Sequence, residues 1–273
     1  MFSNDSSIIL ERDLIYGLSS NNSLLLTSPD LDLPERVETV EQDAFFYFIL
    51  LLGPVLQVIG NSLVRSFIPK SVRTSSQRMF KWRTTFLARI TAGITGSWAL
   101  LALRDSASLQ SDLLLGSSPL ATYCLLFSLG VHLAETVDMV MAAQFSFLTV
   151  HHIGTIATIC GVINTGVGQG FGMFCLIPEL NAVFNKTRIL HLITDTDKNS
   201  AEWRINSVIN IVTFFIRVLL TSYVQGHSFQ HFVETPNTFF LVTFMSLSFI
   251  NFWNLSCFKT LVVKDLLRKP KEV

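Results

Sequence analysis

Residues 105–185 read DSASLQSDLLLGSSPLATYCLLFSLGVHLAETVDMVMAAQFSFLTVHHIGTIATICGVINTGVGQGFGMFCLIPELNAVFN. The run holds no Lys or Arg, yet among its apolar segments it keeps Glu135, Asp138 and Glu179 together with His132, His151 and His152. Hydrocarbon has no water to solvate an ionised group, so such residues inside a span face a bundle interior, a partner or a water-filled cavity. Long apolar segments free of bases therefore predict membrane-spanning helices, and the acids and imidazoles they retain mark the functional centre.

The rest of the chain agrees. Hydrophobic residues make up 49% and charged residues 15%, and the mean hydropathy is +0.47, too apolar for an ordinary soluble domain. The apolar segments are near the roughly 20 residues that a helix needs to cross a bilayer. Strand-like alternation is absent, which argues against a barrel. The expected fold is all-α, a polytopic transmembrane helix bundle. Four cysteines, Cys124, Cys160, Cys175 and Cys257, fall inside the spans without CxxC or zinc spacing, so no disulfide, metal or cofactor is implied. A formal net charge of zero gives no reason to expect nucleic acid.

Working outward, residues 1–43 form a polar, acid-biased tail without the basic start and apolar core of a cleaved signal. Residues 44–79 hold a first span, 44–64, and a basic connection with Arg65, Lys70, Arg73 and Arg78. The main domain, 80–262, has spans expected at 86–103, 120–143 and 147–165, then a fifth ending near 184. A hydrophilic loop is expected over 185–204, followed by spans at 205–223 and 239–258, about seven in all. Residues 263–273 close the chain as a basic tail. Gly166, Gly168, Gly170 and Gly172 mark the hairpin into span five, and Pro178 predicts a kink beside Glu179.

Of the 20 Lys and Arg, six follow the first span, four lie in 185–204 and five from Lys259 onward. The positive-inside rule then makes the N-terminus lumenal and the C-terminus cytosolic. Asn4, Asn21, Asn185 and Asn254 are N-x-S/T sequons, of which Asn4 and Asn21 are the expected lumenal acceptors.

This orientation puts His151, His152, Asp138, Glu179 and Arg89 in the cytosolic parts of their spans, where they can converge. They could move a proton or anchor a lipid head group. The alternative is that Arg89, Glu135, Asp138, Glu179 and Arg217 only neutralise one another and specify helix register. His132 and Glu135, three apart, share a helix side. His151 and His152 point about 100° apart, so one can face the centre while its neighbour faces elsewhere.

The His151-His152 pair, followed one span later by Glu179-Leu180-Asn181, resembles the TLC-domain family, named for translocation-associated, longevity-assurance and ceroid-lipofuscinosis membrane proteins. Within it, ceramide synthases resemble the chain at His151-His152-Ile153-Gly154-Thr155, which fits their HHxxT start. That resemblance implies a catalytic His pair in fatty-acyl transfer, with acyl-CoA as a substrate and Glu179 orienting the base. Their HDxxD element falls on Pro178-Glu179-Leu180-Asn181-Ala182, where one carboxylate remains. The chain is more similar to the non-synthase ceroid-lipofuscinosis branch, with its span-five glutamate and lysine-rich retrieval tail. Lys269 and Lys271 fit a KxKxx signal read by vesicle coats.

The resemblance implies a protein of the endoplasmic reticulum membrane, cycling to the ER-Golgi intermediate compartment. Its partners would be ceramide-like or related membrane lipids, the coat machinery and cargo proteins. The implied role is lipid homeostasis and ER-to-Golgi traffic through a lipid-binding bundle, with a ceramide-synthase-like N-acyltransferase as the alternative.

Overall fold

The computed structural model describes residues 39–143, 147–234 and 238–266. Asn4, Asn21, Lys269 and Lys271 lie outside the described residues. Every regular element within them is helical. Helix α1, Thr39–Val64, ends in short 3₁₀ turns at Arg65–Phe67 and Lys70–Val72. Helix α2 is Ser76–Asp105, and α3, Ala107–Ser111, is capped by the Ser106 hydroxyl, which accepts from the Leu109 N–H. Helix α4 is Pro119–Met141 and begins on the proline, whose missing N–H would have no partner in a first turn. Then come α5, Phe147–Thr165; α6, Gln169–Leu176; α7, Glu179–Ile193; α8, Ala201–Glu234; and α9, Thr238–Leu261, which runs into a π turn at Val262–Leu266.

Five of the helices, α1, α2, α4, α8 and α9, are long and apolar enough to cross a membrane. Helix α5, at 19 residues, occupies the expected fourth span residue for residue. The fifth span differs from a single kinked helix. Proline at 178 offers no N–H to the carbonyl of Phe174, and the helix stops at Leu176 and restarts at Glu179. The expected loop over 185–204 is also corrected. Nothing in 185–193 breaks a helix, so α7 runs to Ile193, and the true connection is 194–200, entered through Asp195 at φ 56°. Arg78, Lys81 and Arg83 likewise belong to the first turns of α2 and not to a loop. Gly166 and Gly168 do turn the chain, at φ 69° and 84°, but Gly170 and Gly172 lie inside α6.

The bundle has two ends. At one, Arg78 of α2 donates to the Ile193 carbonyl at 2.5 Å and to Asp195 at 2.6 Å, a cation placed on the negative end of α7. The π turn docks at the same end, where Asp265 receives two bonds from Arg188 of α7, at 2.5 and 2.9 Å. At the other end the Gly168 N–H donates to the Leu114 carbonyl at 2.6 Å, and the Ser118 N–H to Gln169 Oε1 at 3.0 Å.

Small residues let the helices close up, which in lipid must come from packing and hydrogen bonds, since hydrocarbon already surrounds every apolar face. Ala88, Ala92, Gly96, Ala99 and Ala102 form a stripe along α2; at Gly96 a Cβ would stand 2.8 Å from the Leu180 backbone N of α7. Helix α1 meets α4 the same way. A Cβ at Gly53 would stand 2.6 Å from Val131 N, and one at Gly130 would run into the Leu50 carbonyl oxygen. The core proper, with Ala99, Leu109, Cys124, Leu125, Ile159, Val162 and Met173, lies between α2, α4, α5 and α6. Between α8 and α9 the join is polar: Asn251 accepts from Thr221 and donates to Gln225 at 2.6 Å, which in turn donates to Ser248 at 2.8 Å.

Candidate functional site

A cavity of about 490 Å³ opens between α2, α4, α5, α7, α8 and α9, within the roughly 300–1,000 Å³ typical of small-molecule sites. His132 and Glu135 come from α4, His151 and His152 from α5, Glu179 and Lys186 from α7, and Arg217 from α8. A narrower slot of about 90 Å³ continues toward the Gly168 end. His132, His151, Glu179, Arg217 and Ile250 border both spaces. Beyond that neck the slot is walled chiefly by Leu125, Ile159, Val162, Phe171, Val224 and Leu247. The site is thus a polar chamber continued by an apolar slot.

Each group has a local reason to be where it is. His132 and Glu135 sit on neighbouring turns of α4, and Glu179 is the first residue of α7, at the positive end of that helix. His132 Nδ1 lies 2.7 Å from the Ser128 carbonyl. A carbonyl only accepts, so Nδ1 carries the hydrogen, and in the neutral ring Nε2 is left as an acceptor. The His132 and His152 rings meet edge to face at 5.0 Å. His152 Nε2 lies 3.5 Å from Glu135 Oε2, with side chains 5% and 17% exposed. His151 Nδ1, His152 Nδ1, Arg217 Nε and Asn254 Nδ2 are buried without a hydrogen-bond partner, and all four residues border the chamber. Buried polar atoms are rarely left unpaired, and these four are open to whatever occupies the chamber.

Two residues expected at the centre stand elsewhere. Asp138 accepts from Gln57 Nε2 at 3.2 Å and ties α1 to α4. The Arg89 guanidinium lies 4.7 Å from the centre of the Phe86 ring, one turn back on its own helix. Neither borders the cavity. Lys186, by contrast, falls within the expected loop and is a chamber residue. Its signal in the sequence is the spacing Glu179, Ala182, Lys186 and Ile189, which is one face of a helix continuing past residue 184; all four border the chamber. Asn185 lines it too, and Asn254 is 2% exposed. Among the described residues no three His, Cys, Asp or Glu are grouped as a metal ion would require.

Comparison with known proteins adds a family. Residues 81–263 match the TLC domain, a span that takes in every residue of the polar chamber and leaves α1 outside. The TLC domain-containing protein 1 of Homo sapiens is 26% identical over 200 residues, 70% of this chain and 80% of that protein. Its counterpart in Gallus gallus is 26% identical over 170 residues, 61% and 67% of the two chains. The TLC domain-containing protein 2 of Mus musculus is 28% identical over 155 residues, 56% of this chain and 48% of the other.

Proposed function

This chain belongs to the TLC-domain family, and from that premise we propose that its bundle binds a membrane lipid end-on, the polar end in the chamber and an acyl chain in the slot, in support of lipid homeostasis. The observation that carries this reading is the junction itself: buried, unpartnered polar atoms on one side of the neck and aliphatic walls on the other. A ligand polar at both ends would leave the slot badly matched, and an alkane would leave His151, His152 and Arg217 unsatisfied. The reading extends to a sphingolipid-like lipid in the endoplasmic reticulum on the strength of the family resemblance.

Native mass spectrometry of protein extracted from cells in a mild detergent tests it. Wild-type protein should carry a lipid adduct. Glu135→Gln and His152→Ala should each lower its occupancy about tenfold, the expected scale for losing one charge-assisted hydrogen bond of about 1.5 kcal/mol. Equal adducts in all three proteins would remove the chamber from lipid binding.

A second reading is favoured by the pairing of His152 with Glu135 beside an open cavity. Here a chamber imidazole takes the proton of an amine or hydroxyl, which attacks the thioester carbonyl of acyl-CoA, and the CoA thiolate leaves. Product formed from acyl-CoA by wild type and not by His152→Ala would select it over simple binding.

We propose seven crossings, with α6 and α7 together making the one broken at Pro178, a lumenal N-terminus and a retrieval signal at Lys269 and Lys271. The grouping of Arg78, Arg188 and the C-terminal turn at one end of the bundle supports that alternation. Glycans are then expected at Asn4 or Asn21 only, because Asn185 lines the cavity and Asn254 is buried. A glycosidase-sensitive shift lost on Asn185→Gln would overturn the topology. Imaging of Lys269→Ala with Lys271→Ala should show protein leaving the endoplasmic reticulum, and unchanged residence would reduce the tail to a charge anchor.

A further inference from the structure

The chamber has two unlike walls. Along α4, α5 and α7 acids and bases answer one another: Glu135 meets His152, and Lys186, Glu179 and His132 all lie within electrostatic reach of Glu135. Arg188, at the chamber's edge, is committed to Asp265. The wall from α8 and α9 carries a single charge, Arg217. Helix α8 holds its only acids, Glu202 and Glu234, at its two extremities, and Thr238–Leu261 has none. The one carboxylate that shares the neck with Arg217 is Glu179, which comes from the opposite wall, on α7. The Arg217 guanidinium lies 5.9 Å from the Phe214 ring centre, and its Nε is buried without a hydrogen-bond partner. Among the described residues it forms no salt bridge.

A mid-helix arginine with no acid on its own wall is costly in a membrane, and such groups mark sites of function. Arg217 also stands at the neck, bordering both the chamber and the slot. We propose that Arg217 anchors the carboxylate of a fatty acid, the first carbons of whose chain enter the slot. This rests on the reading of the cavity as a lipid site and replaces the sphingolipid-like class with a single-chain acid. A planar guanidinium fork matches a carboxylate with two parallel hydrogen bonds. The slot, at about 90 Å³ and walled by Leu125, Ile159, Val162, Val224 and Leu247 with Thr158, Thr221 and Ser228 among them, has room for the first few carbons of one chain. A phosphate carries about two negative charges, and this wall has one cation.

The test uses the full chain in neutral-lipid nanodiscs, titrated with palmitate, its methyl ester and lysophosphatidate. Palmitate should bind at least about tenfold more tightly than the ester, the scale of one charge-assisted bond. Arg217→Gln should abolish that preference, while Arg217→Lys should keep part of it. Palmitate and ester binding alike to wild type would overturn the anchor and leave the lipid site standing; this comparison needs no variant to fold. Lysophosphatidate binding above palmitate would overturn the carboxylate assignment. Failure of all three probes to bind would overturn the lipid site itself.

Discussion

Asp265→Ala is expected to destabilise the protein by about 1.5–3 kcal/mol, because it strands the half-buried Arg188. Asp265 is 2% exposed, and Arg188, at 16%, reaches it with both Nε and an Nη, while Ser207 supplies a further contact at 3.5 Å. Taking two charges out of water costs several kcal/mol each, offset here by their attraction and by the paired hydrogen bonds. Removing one partner keeps the penalty of the other. Removing both should not: Arg188→Met combined with Asp265→Leu is expected to lie within about 1–2 kcal/mol of wild type, because apolar side chains of similar volume replace buried ion pairs at little net cost. Thermal unfolding in detergent of the two singles and the double measures the cycle. Additive losses would show that the residues do not act as a pair. The pair also holds the π turn against α7 beside Arg188, Thr260 and Leu261 of the chamber wall, so the single variant should lose bound lipid in step with stability.

Gly130→Leu should detach α1. The side chain would project into the backbone carbonyl of Leu50, with Pro54 Cδ at 3.0 Å, and a backbone cannot move aside as a flexible side chain can. Overpacking of this kind costs typically about 1–3 kcal/mol and occasionally more. That is enough to undock α1, since only 17% of its most apolar window is buried and Phe45, Tyr47, Phe48, Leu51, Val55 and Val58 already face outward. The Phe45 and Tyr123 rings meet at 4.9 Å in the intact protein. Cysteines at these two positions should cross-link in an otherwise unaltered chain and fail to do so with leucine at 130. Because α1 lies outside the matched domain, the chamber should persist and the lipid adduct with it. A cross-link of unchanged yield would show that α1 tolerates the intrusion.

Much of the bundle was legible in the chain because hydropathy reports directly on lipid. Helix α5 begins and ends where its apolar segment does, and Glu135, Glu179, His132, His151 and His152 do gather in one cavity, which Asp138 does not border. Hydropathy goes silent where charges point inward. Helix α7 carries Lys186 and Arg188 on cavity-facing positions, so a reading by apolar run length stops near 184 although the helix continues. Partner choice was not legible at all. Asp138 finds Gln57, 81 residues away, and Arg188 finds Asp265, 77 residues away; which acid meets which base is settled by the docking of helices that share no local pattern. Arg89 was misplaced for the opposite reason. It settles on Phe86, three residues back, and needs nothing from the bundle.

Helix α8, at 34 residues, is about 51 Å long, against a hydrocarbon layer of roughly 30 Å. Even the steepest common inclination of a membrane helix, about 40°, leaves a rise of some 39 Å along the bilayer normal. The excess falls at its ends, beyond the apolar stretch, in Ala201–Arg204 and in the Gln225–Glu234 segment with His227, Gln230 and His231. Part of α8 must therefore lie beyond the hydrocarbon, at head-group depth, as a rigid post. A thinner bilayer would lengthen that post and a thicker one submerge it, making the protein's comfort in a given membrane depend on that membrane's thickness.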